Sequence, residues 1–335
     1  MASTDPQEPV QIQDSPLPKV LLLKKPPAFF IIGEQPFTST KFHYLKAYES
    51  PLPLDQFLAT HALSIQAILS SAIAPLTVDI LQLLPAVRVV VTTSAGLNHL
   101  DLPECRRRGI TIANTGSIYS ADVADLAVGL LIDVFRKISA GNRYVKQGLW
   151  PIRGDYPLGS KLAGKRVGIV GLGNIGYEVA KRLEAFACCI SYNSRKKKPF
   201  VSYPFYENVC ELAANSDALI ICCGLTDQTH HMINKEVLLA LGKTGVIVNI
   251  GRGPIIDEKE MVRCLVEGEI AGAGLDVFEN EPDVPKELFE LDNVVLSPHC
   301  AVFTHESLKA LSELVVGNLE AFFSNKPLLS EYVDE

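Results

Sequence analysis

The stretch Arg166 to Gly176, Arg-Val-Gly-Ile-Val-Gly-Leu-Gly-Asn-Ile-Gly, joins an apolar run to closely spaced glycines, a pattern able to seat a diphosphate. Val167 to Val170 is predicted to form a buried parallel strand. Gly171, Gly173 and Gly176 fit the dinucleotide fingerprint: the first turns the chain, the second admits a pyrophosphate against backbone, and the third lets the next helix pack on the strand. The phosphates would face free N–H groups at a helix N-terminus. Glycine-rich turns are common, so the flanking residues decide. Tyr177 to Cys188 places Val179, Ala180, Leu183 and Phe186 on one helical stripe, and Cys189 to Tyr192 reads as the next strand.

That second strand runs into Tyr192-Asn193-Ser194-Arg195-Lys196. An NAD-specific fold usually sets an acidic residue about 20 residues beyond the glycines to hold the ribose 2′-hydroxyl. No carboxylate stands here. Ser194 can donate a hydroxyl hydrogen bond to a 2′-phosphate, Arg195 can pair with it, and Lys196 adds a second positive charge. The expectation is NADPH (NADP) rather than NADH. A solvated basic turn from Arg195 to Lys198 is the alternative, and it predicts little discrimination.

Other reactive side chains fall at predicted strand ends. Ala218 to Cys223, Val246 to Ile250, Gly272 to Val277 and Val294 to Ser297 read as buried strands, completing a six-strand sheet whose ends carry Leu225-Thr226, Arg252, Asp276, Glu281 and His299. The first part of the chain has the same βα rhythm. Strands are expected at Val20 to Leu23, Ile65 to Leu69, Val87 to Thr92 and Thr111 to Ala113, and helices at Leu54 to Leu63, Thr77 to Leu84 and Asp101 to Arg108. It contains no GxGxxG. Its small-residue loop, with Ser94, Ala95 and Gly96, follows a strand and could offer N–H groups to a carboxylate; a tight strand-to-helix turn accounts for it equally well. Ala121 to Ile138 is predicted as a long helix with Ser120 as N-cap, bridging two domains. Trp150, the only tryptophan, lies in a Gly/Pro loop, where it either anchors a surface or interface or packs into the core.

Composition narrows the classes. A chain of 335 residues suggests two domains, and 47% apolar with 21% charged residues is ordinary for a globular protein. The net charge of −7 argues against a general nucleic-acid or acidic-membrane surface. Eight cysteines without CxxC spacing predict reduced, mostly buried thiols. Histidines, His230, His231 and His305 among them, lack metal-ligand spacing, so no metal is expected. The first eighteen residues show neither a hydrophobic signal core nor an arginine-rich amphipathic helix, and Tyr-Val-Asp-Glu at the other end is no peroxisomal address. The expected localisation is cytoplasmic.

Gly171 to Gly176, Val248-Asn249-Ile250-Gly251-Arg252-Gly253, Leu275-Asp276-Val277-Phe278-Glu279-Asn280-Glu281-Pro282 and Ser297-Pro298-His299 occur in this order. Jointly, from about Val20 to Ala321, the chain resembles the D-2-hydroxyacid dehydrogenase family, and within it the branch of plant hydroxyphenylpyruvate and glyoxylate/hydroxypyruvate reductases. The resemblance implies an α/β fold of two Rossmann-like, doubly wound parallel-sheet domains, with a cofactor domain (119–301) inserted in a substrate domain (1–118 and 302–335). It implies Gly171, Leu172, Gly173, Asn174, Ile175, Ser194, Arg195, Lys196, Ile250 and Asp276 around the cofactor. Ser94, Ala95, Gly96 and Trp150 would face substrate. It further implies a homodimer built on the 121–138 helix and the Trp150 loop, with Trp150 reaching the partner's substrate pocket.

The chemistry of the residues agrees with that family. Reduction of a 2-oxo acid needs a cation for the carboxylate, an acid for the carbonyl oxygen and a hydride source. Arg252 can fork onto the carboxylate and carbonyl oxygens, and His299, which titrates near neutrality, can protonate the nascent alkoxide. Glu281 on the far imidazole nitrogen would orient the ring and favour its protonated form. Individually the three have plain structural readings: a surface arginine, a structural histidine, a solvated carboxylate. Cys300 to Thr304 replaces a small, glycine-containing loop common in the family, which bears on pocket shape, and Cys300 has no part in such a reduction. Expected substrates are small 2-oxo acids: glyoxylate, hydroxypyruvate, pyruvate, hydroxyphenylpyruvate or 2-keto-gulonate. The competing class is a nucleotide-sensing interaction protein on a dehydrogenase fold.

Overall fold

A computed structural model describes residues 17–333. The first sixteen of the eighteen residues read for targeting signals, and the last two residues of the C-terminal tetrapeptide, lie outside the described residues. The chain divides into two compact units, each with its own parallel sheet.

One unit comprises the described residues up to Thr93, then His99–Asn114 and the residues from Ser312 onward. Its strands are β1 (Lys19–Leu22), β2 (His43–Lys46), β3 (Ile65–Ser70), β4 (Val89–Thr92) and β5 (Thr111–Ala113), in the order β2-β1-β3-β4-β5. Strand β2 was not expected from sequence. Its His-Tyr-Leu-Lys is partly exposed and pairs only with β1, so it carries no apolar run. The chain end adds to the other edge: Tyr332 N–H donates to the Ile112 carbonyl at 2.8 Å. The helices Leu54–His61 and Leu102–Arg107 form where expected, the second capped by the Asp101 carboxylate, which accepts the Glu104 N–H at 2.9 Å.

The other unit is Ser94–Asn98 with Thr115–Leu311. Six strands, β6 (Arg166–Val170), β7 (Cys189–Asn193), β8 (Ala218–Ile221), β9 (Val246–Asn249), β10 (Gly272–Leu275) and β11 (Val294–Leu296), run in the order β11-β10-β9-β8-β6-β7. All pairings are parallel. Strand order reverses between β6 and β8, and in such sheets ligands bind beyond the strand C-termini at that reversal. Most of their residues are buried, the exposed ones being Arg166 and Cys189 at the starts of β6 and β7, as expected for strands that read as continuous apolar runs.

Three expectations are corrected here. The long helix starts at Ser120 itself, with Tyr119 at the cap position and no side-chain cap, and ends at Arg136. Lys137 turns left-handed (φ 56°) and a second helix, Ile138–Lys146, begins, braced by the Ser139 N–H donating to Asp133 at 2.7 Å. The first of these helices lies wholly within the six-stranded unit; the chain changes unit at 93/94, 98/99, 114/115 and 311/312, the last inside the helix His305–Phe323. Among the cysteines only Cys105 and Cys264 are buried, five are intermediate and Cys189 is exposed; all eight are free. No helix among the described residues is long and apolar enough to cross a membrane.

At the start of β6, Asp217 accepts both the Arg166 backbone N–H and its guanidinium at 2.8 Å. The guanidinium hydrogen bond holds the Asp217 carboxyl below its ordinary value of 3.8, against the opposing effect of burial. A carboxylate whose pKa is depressed on folding stabilises above its unfolded pKa and loses that contribution as pH falls. Asp217→Asn is expected to destabilise this unit by about 1 kcal/mol at neutral pH. The difference between the two proteins in urea midpoint should vanish as pH falls through 3.8 and below.

Candidate active site

The glycine turn after β6 has the shape a dinucleotide requires. Gly171 (φ 97°) lies against the end of β8, where a Cβ would meet the Cys223 backbone nitrogen at 2.6 Å. A Cβ on Gly176 would strike the Gly171 carbonyl, so the helix Asn174–Ala185 packs close to the strand only with glycine there. Gly173 faces open space and offers no side-chain cap, leaving the first-turn N–H groups of the helix for an anion. Leu172 is buried, Ile175 half-buried and Asn174 exposed. The turn therefore fits a nicotinamide dinucleotide. At the end of β7, Asn193 donates to the carbonyls of Tyr206 and Glu207 at 2.9 and 3.0 Å, fixing the following turn. Arg195 and Lys196 are exposed, and among the described residues neither forms an ion pair. The Ser194 hydroxyl donates to the Lys196 carbonyl at 2.6 Å, so it must rotate to meet a phosphate. Ile250, buried at the end of β9, donates its N–H to the Ile221 carbonyl at 3.3 Å.

Arg252, Glu281 and His299 come from turns after three neighbouring strands, β9, β10 and β11. Asp276, 1% exposed, organises the last of these turns. Its carboxylate accepts the Ser297 hydroxyl at 2.6 Å and the N–H groups of Cys300 and Ala301 at 2.9 and 3.1 Å, and its carbonyl accepts the His299 N–H at 2.8 Å. These bonds hold His299 at φ 49°, a left-handed conformation uncommon outside glycine. Its ring Nδ1 lies 2.7 Å from Glu281 Oε2, while Glu281 Oε1 accepts the Phe278 N–H at 3.1 Å. Burial pushes the Glu281 carboxyl up, but the His299 hydrogen bond and charge, the Phe278 N–H and the Arg252 charge outweigh it, leaving the group below the usual carboxylate range. The ring is thus oriented by an ionised acceptor, with Nε2 left for chemistry.

Arg252 is half-buried, and desolvation lowers its pKa against the favourable charge of Glu281; a guanidinium remains charged under such conditions. Its Nη1 donates to the Gly251 carbonyl at 2.7 Å. The expected substrate loop belongs to this same unit and closes on the arginine: a Cβ on Gly96 would fall 2.6 Å from Arg252 Nη2. Gly96 therefore lies beside the arginine, with Ser94 and Ala95 preceding it in the same loop. Rather than lying in a loop, Trp150 opens the short helix Trp150–Arg153 and is 58% exposed. Cys300 follows His299, and burial, then the Asp276 charge, push its thiol up, away from thiolate reactivity.

Several residues that hold this geometry had no role in the sequence reading. Asn249, 1% exposed, accepts the Gly251 N–H and donates to the Arg252 carbonyl, both at 3.0 Å. Buried Glu258 accepts the Glu279 N–H at 3.1 Å, and its own carboxyl is raised, first by burial and then by the charges of Glu279 and Glu281. Gly253 lies flush on the Phe278–Glu279 peptide, where a Cβ would overlap backbone. The signal for Gly253 was present, since it follows Arg252 directly. Asn249 stands in the same motif, bonding only two and three residues ahead, whereas Glu258 acts on a turn 21 positions away and left no local pattern.

The model for the D-isomer specific 2-hydroxyacid dehydrogenase NAD binding domain matches residues 128–301. The chain is 54% identical over 318 residues to a glyoxylate/hydroxypyruvate reductase of Arabidopsis thaliana, covering 95% of this chain and 98% of that one. The chain belongs to the D-isomer specific 2-hydroxyacid dehydrogenase family. A hydroxyphenylpyruvate reductase of Plectranthus scutellarioides is 50% identical over 293 residues, covering 88% of this chain and 93% of its own length. Among solved structures, an NADPH-dependent glyoxylate/hydroxypyruvate reductase of Sinorhizobium meliloti, in complex with NADP and malonate, superimposes with a TM-score of 0.84. Its sequence is 33% identical, with 94% of this chain and 97% of that chain covered. The nicotinamide dinucleotide implied by the glycine turn is thus the cofactor class of the family, and the interaction-protein reading is not favoured.

Because Gly253 keeps the Arg252 turn against the Glu281 turn, a methyl group there must separate them. Gly253→Ala is expected to lower turnover by about a hundredfold while nucleotide binding at the Gly171 turn persists, a split measurable by steady-state kinetics beside cofactor titration.

Proposed function

We propose that the chain reduces small 2-oxo acids, glyoxylate and hydroxypyruvate foremost, to D-2-hydroxy acids with NADPH, and that His299 is the proton donor. The observation that carries the reading is the His299–Glu281 contact of 2.7 Å in the unit that also holds Arg252 and the glycine turn. When bound, the nicotinamide supplies the hydride. Arg252 binds the carboxylate and polarises the carbonyl, with backbone N–H groups of Ser94 to Gly96 as further donors. His299 delivers a proton from Nε2 to the carbonyl oxygen as the carbon is reduced, and Glu281 stabilises the imidazolium before that transfer. The plant relatives, a glyoxylate/hydroxypyruvate reductase and a hydroxyphenylpyruvate reductase, support this substrate class. In this reading the six-stranded unit is the cofactor domain and the five-stranded unit the substrate domain.

His299→Ala should lower kcat on hydroxypyruvate by about 10²- to 10⁴-fold with cofactor affinity retained. Near-normal turnover would remove His299 from the proton transfer. The panel should include glyoxylate, pyruvate, hydroxyphenylpyruvate and 2-keto-gulonate.

NADPH preference rests on exposed Arg195 and Lys196 after β7, where no carboxylate side chain occupies positions 192–196, and it is supported by the NADP-bound structural relative. Arg195→Ala should lower kcat/KM for NADPH by about tenfold or more and leave that for NADH nearly unchanged. Equal use of both cofactors by the unmodified protein would contradict the assignment.

The same reading includes a homodimer in a reducing compartment such as the cytosol. Ile138, Val145, Trp150 and Ile152 on two consecutive helices and Leu158 in the segment after them, each more than half exposed, form an apolar series that a second copy would cover, and eight free thiols suit a reducing environment. Light scattering should give twice the chain mass, and Trp150→Asp should shift it toward monomer.

A further inference from the structure

Two turns beyond the C-terminal ends of β8 and β10 bring together three side chains with metal-binding atoms that the proposed reduction does not use. His230 and His231 stack with ring centroids 4.0 Å apart, and Glu279 Oε1 lies 3.0 Å from His231 Nε2. One ligand atom from each of the three falls within 4.8 Å of the others. Sequence spacing hid this cluster, because adjacent histidines match no ligand motif and the third residue arrives from a turn 48 positions away.

The scaffold holds these groups by bonds of its own. Thr229 Oγ1 accepts the Thr226 N–H and donates to the Gly224 carbonyl, both at 2.8 Å. His231, at φ 49°, donates its N–H to the Pro254 carbonyl at 2.8 Å, while the Glu279 N–H is anchored on Glu258. These bonds fix the two turns, so that only the exposed His230 ring has to turn out of its stack to share an ion with His231 and Glu279.

We propose that His230, His231 and Glu279 form a partly exposed site for a divalent transition metal of the zinc class. Two imidazoles and one carboxylate are a donor set for zinc, cobalt or nickel, whereas magnesium and calcium favour oxygen alone. Neighbouring ligands of a tetrahedral zinc, each about 2.0–2.1 Å from the ion, lie about 3.3 Å apart, near the 3.0 Å between His231 and Glu279. The ion takes the place of the proton between them. His230 is exposed, so the remaining coordination position opens to water. The site stands independently of the reductase reading, and either can fail alone.

Co²⁺ titration of the full-length chain, followed by visible absorption, tests it. The expected result is one equivalent bound with ligand-field bands of a nitrogen/oxygen site, no thiolate charge-transfer band, and displacement by Zn²⁺. His230→Ala, at an exposed position, and isosteric Glu279→Gln should each weaken binding at least tenfold while circular dichroism stays unchanged. Absence of binding, thiolate bands from the free cysteines, or affinity unaltered in both variants would overturn the proposal and leave the cluster as a His231–Glu279 hydrogen bond beside a stacked ring.

Discussion

Everything at the proposed reaction centre hangs on one buried carboxylate. Asp276 ends the β10 run and gathers the Ser297 hydroxyl and two backbone N–H groups, so the turn after β11 closes over it and His299 is held in a left-handed conformation. A buried carboxylate without such donors would be costly. With them, desolvation and hydrogen bonding fix a single geometry, and the imidazole is presented to Glu281 rather than left to rotate. Asp276 was expected at the cofactor; the bonds its side chain makes here are all to the turn that carries His299.

The parallel sheet makes this arrangement possible. Turns that follow successive strands all emerge at one end, so residues distant in sequence become neighbours without long connections. Arg252 follows β9, Glu281 follows β10 and His299 follows β11, while Gly253 allows the first two turns to touch. Asn249 and Glu258 tie the backbone on either side. Positioning is therefore distributed over several strand ends, and the reactive groups need little rearrangement to work together.

Much of the fold was legible because it is written in local patterns. Ten of the eleven strands follow apolar runs, and the glycine turn carries its own signature. The strand at His43–Lys46 was missed because a polar edge strand derives its structure from its neighbour, and the break at Lys137 because an apolar helical pattern continues past it. The site was partly legible for a similar reason. Arg252, Glu281 and His299 stand in recognisable ordered motifs, and Asn249 braces the first of them from within it, whereas the anchor at Glu258 and the approach of Glu279 to His231 depend on contacts between turns that no spacing rule encodes.

The dependence of His299 on Asp276 is most directly measured in a crystal structure of Asp276→Ala. Removing all three side-chain acceptor contacts should release the turn after β11 and break the Nδ1 to Oε2 contact, 2.7 Å here, while the glycine turn after β6 keeps its shape. An Asp276→Ala structure with His299 still in its left-handed conformation and still bonded to Glu281 would contradict the account.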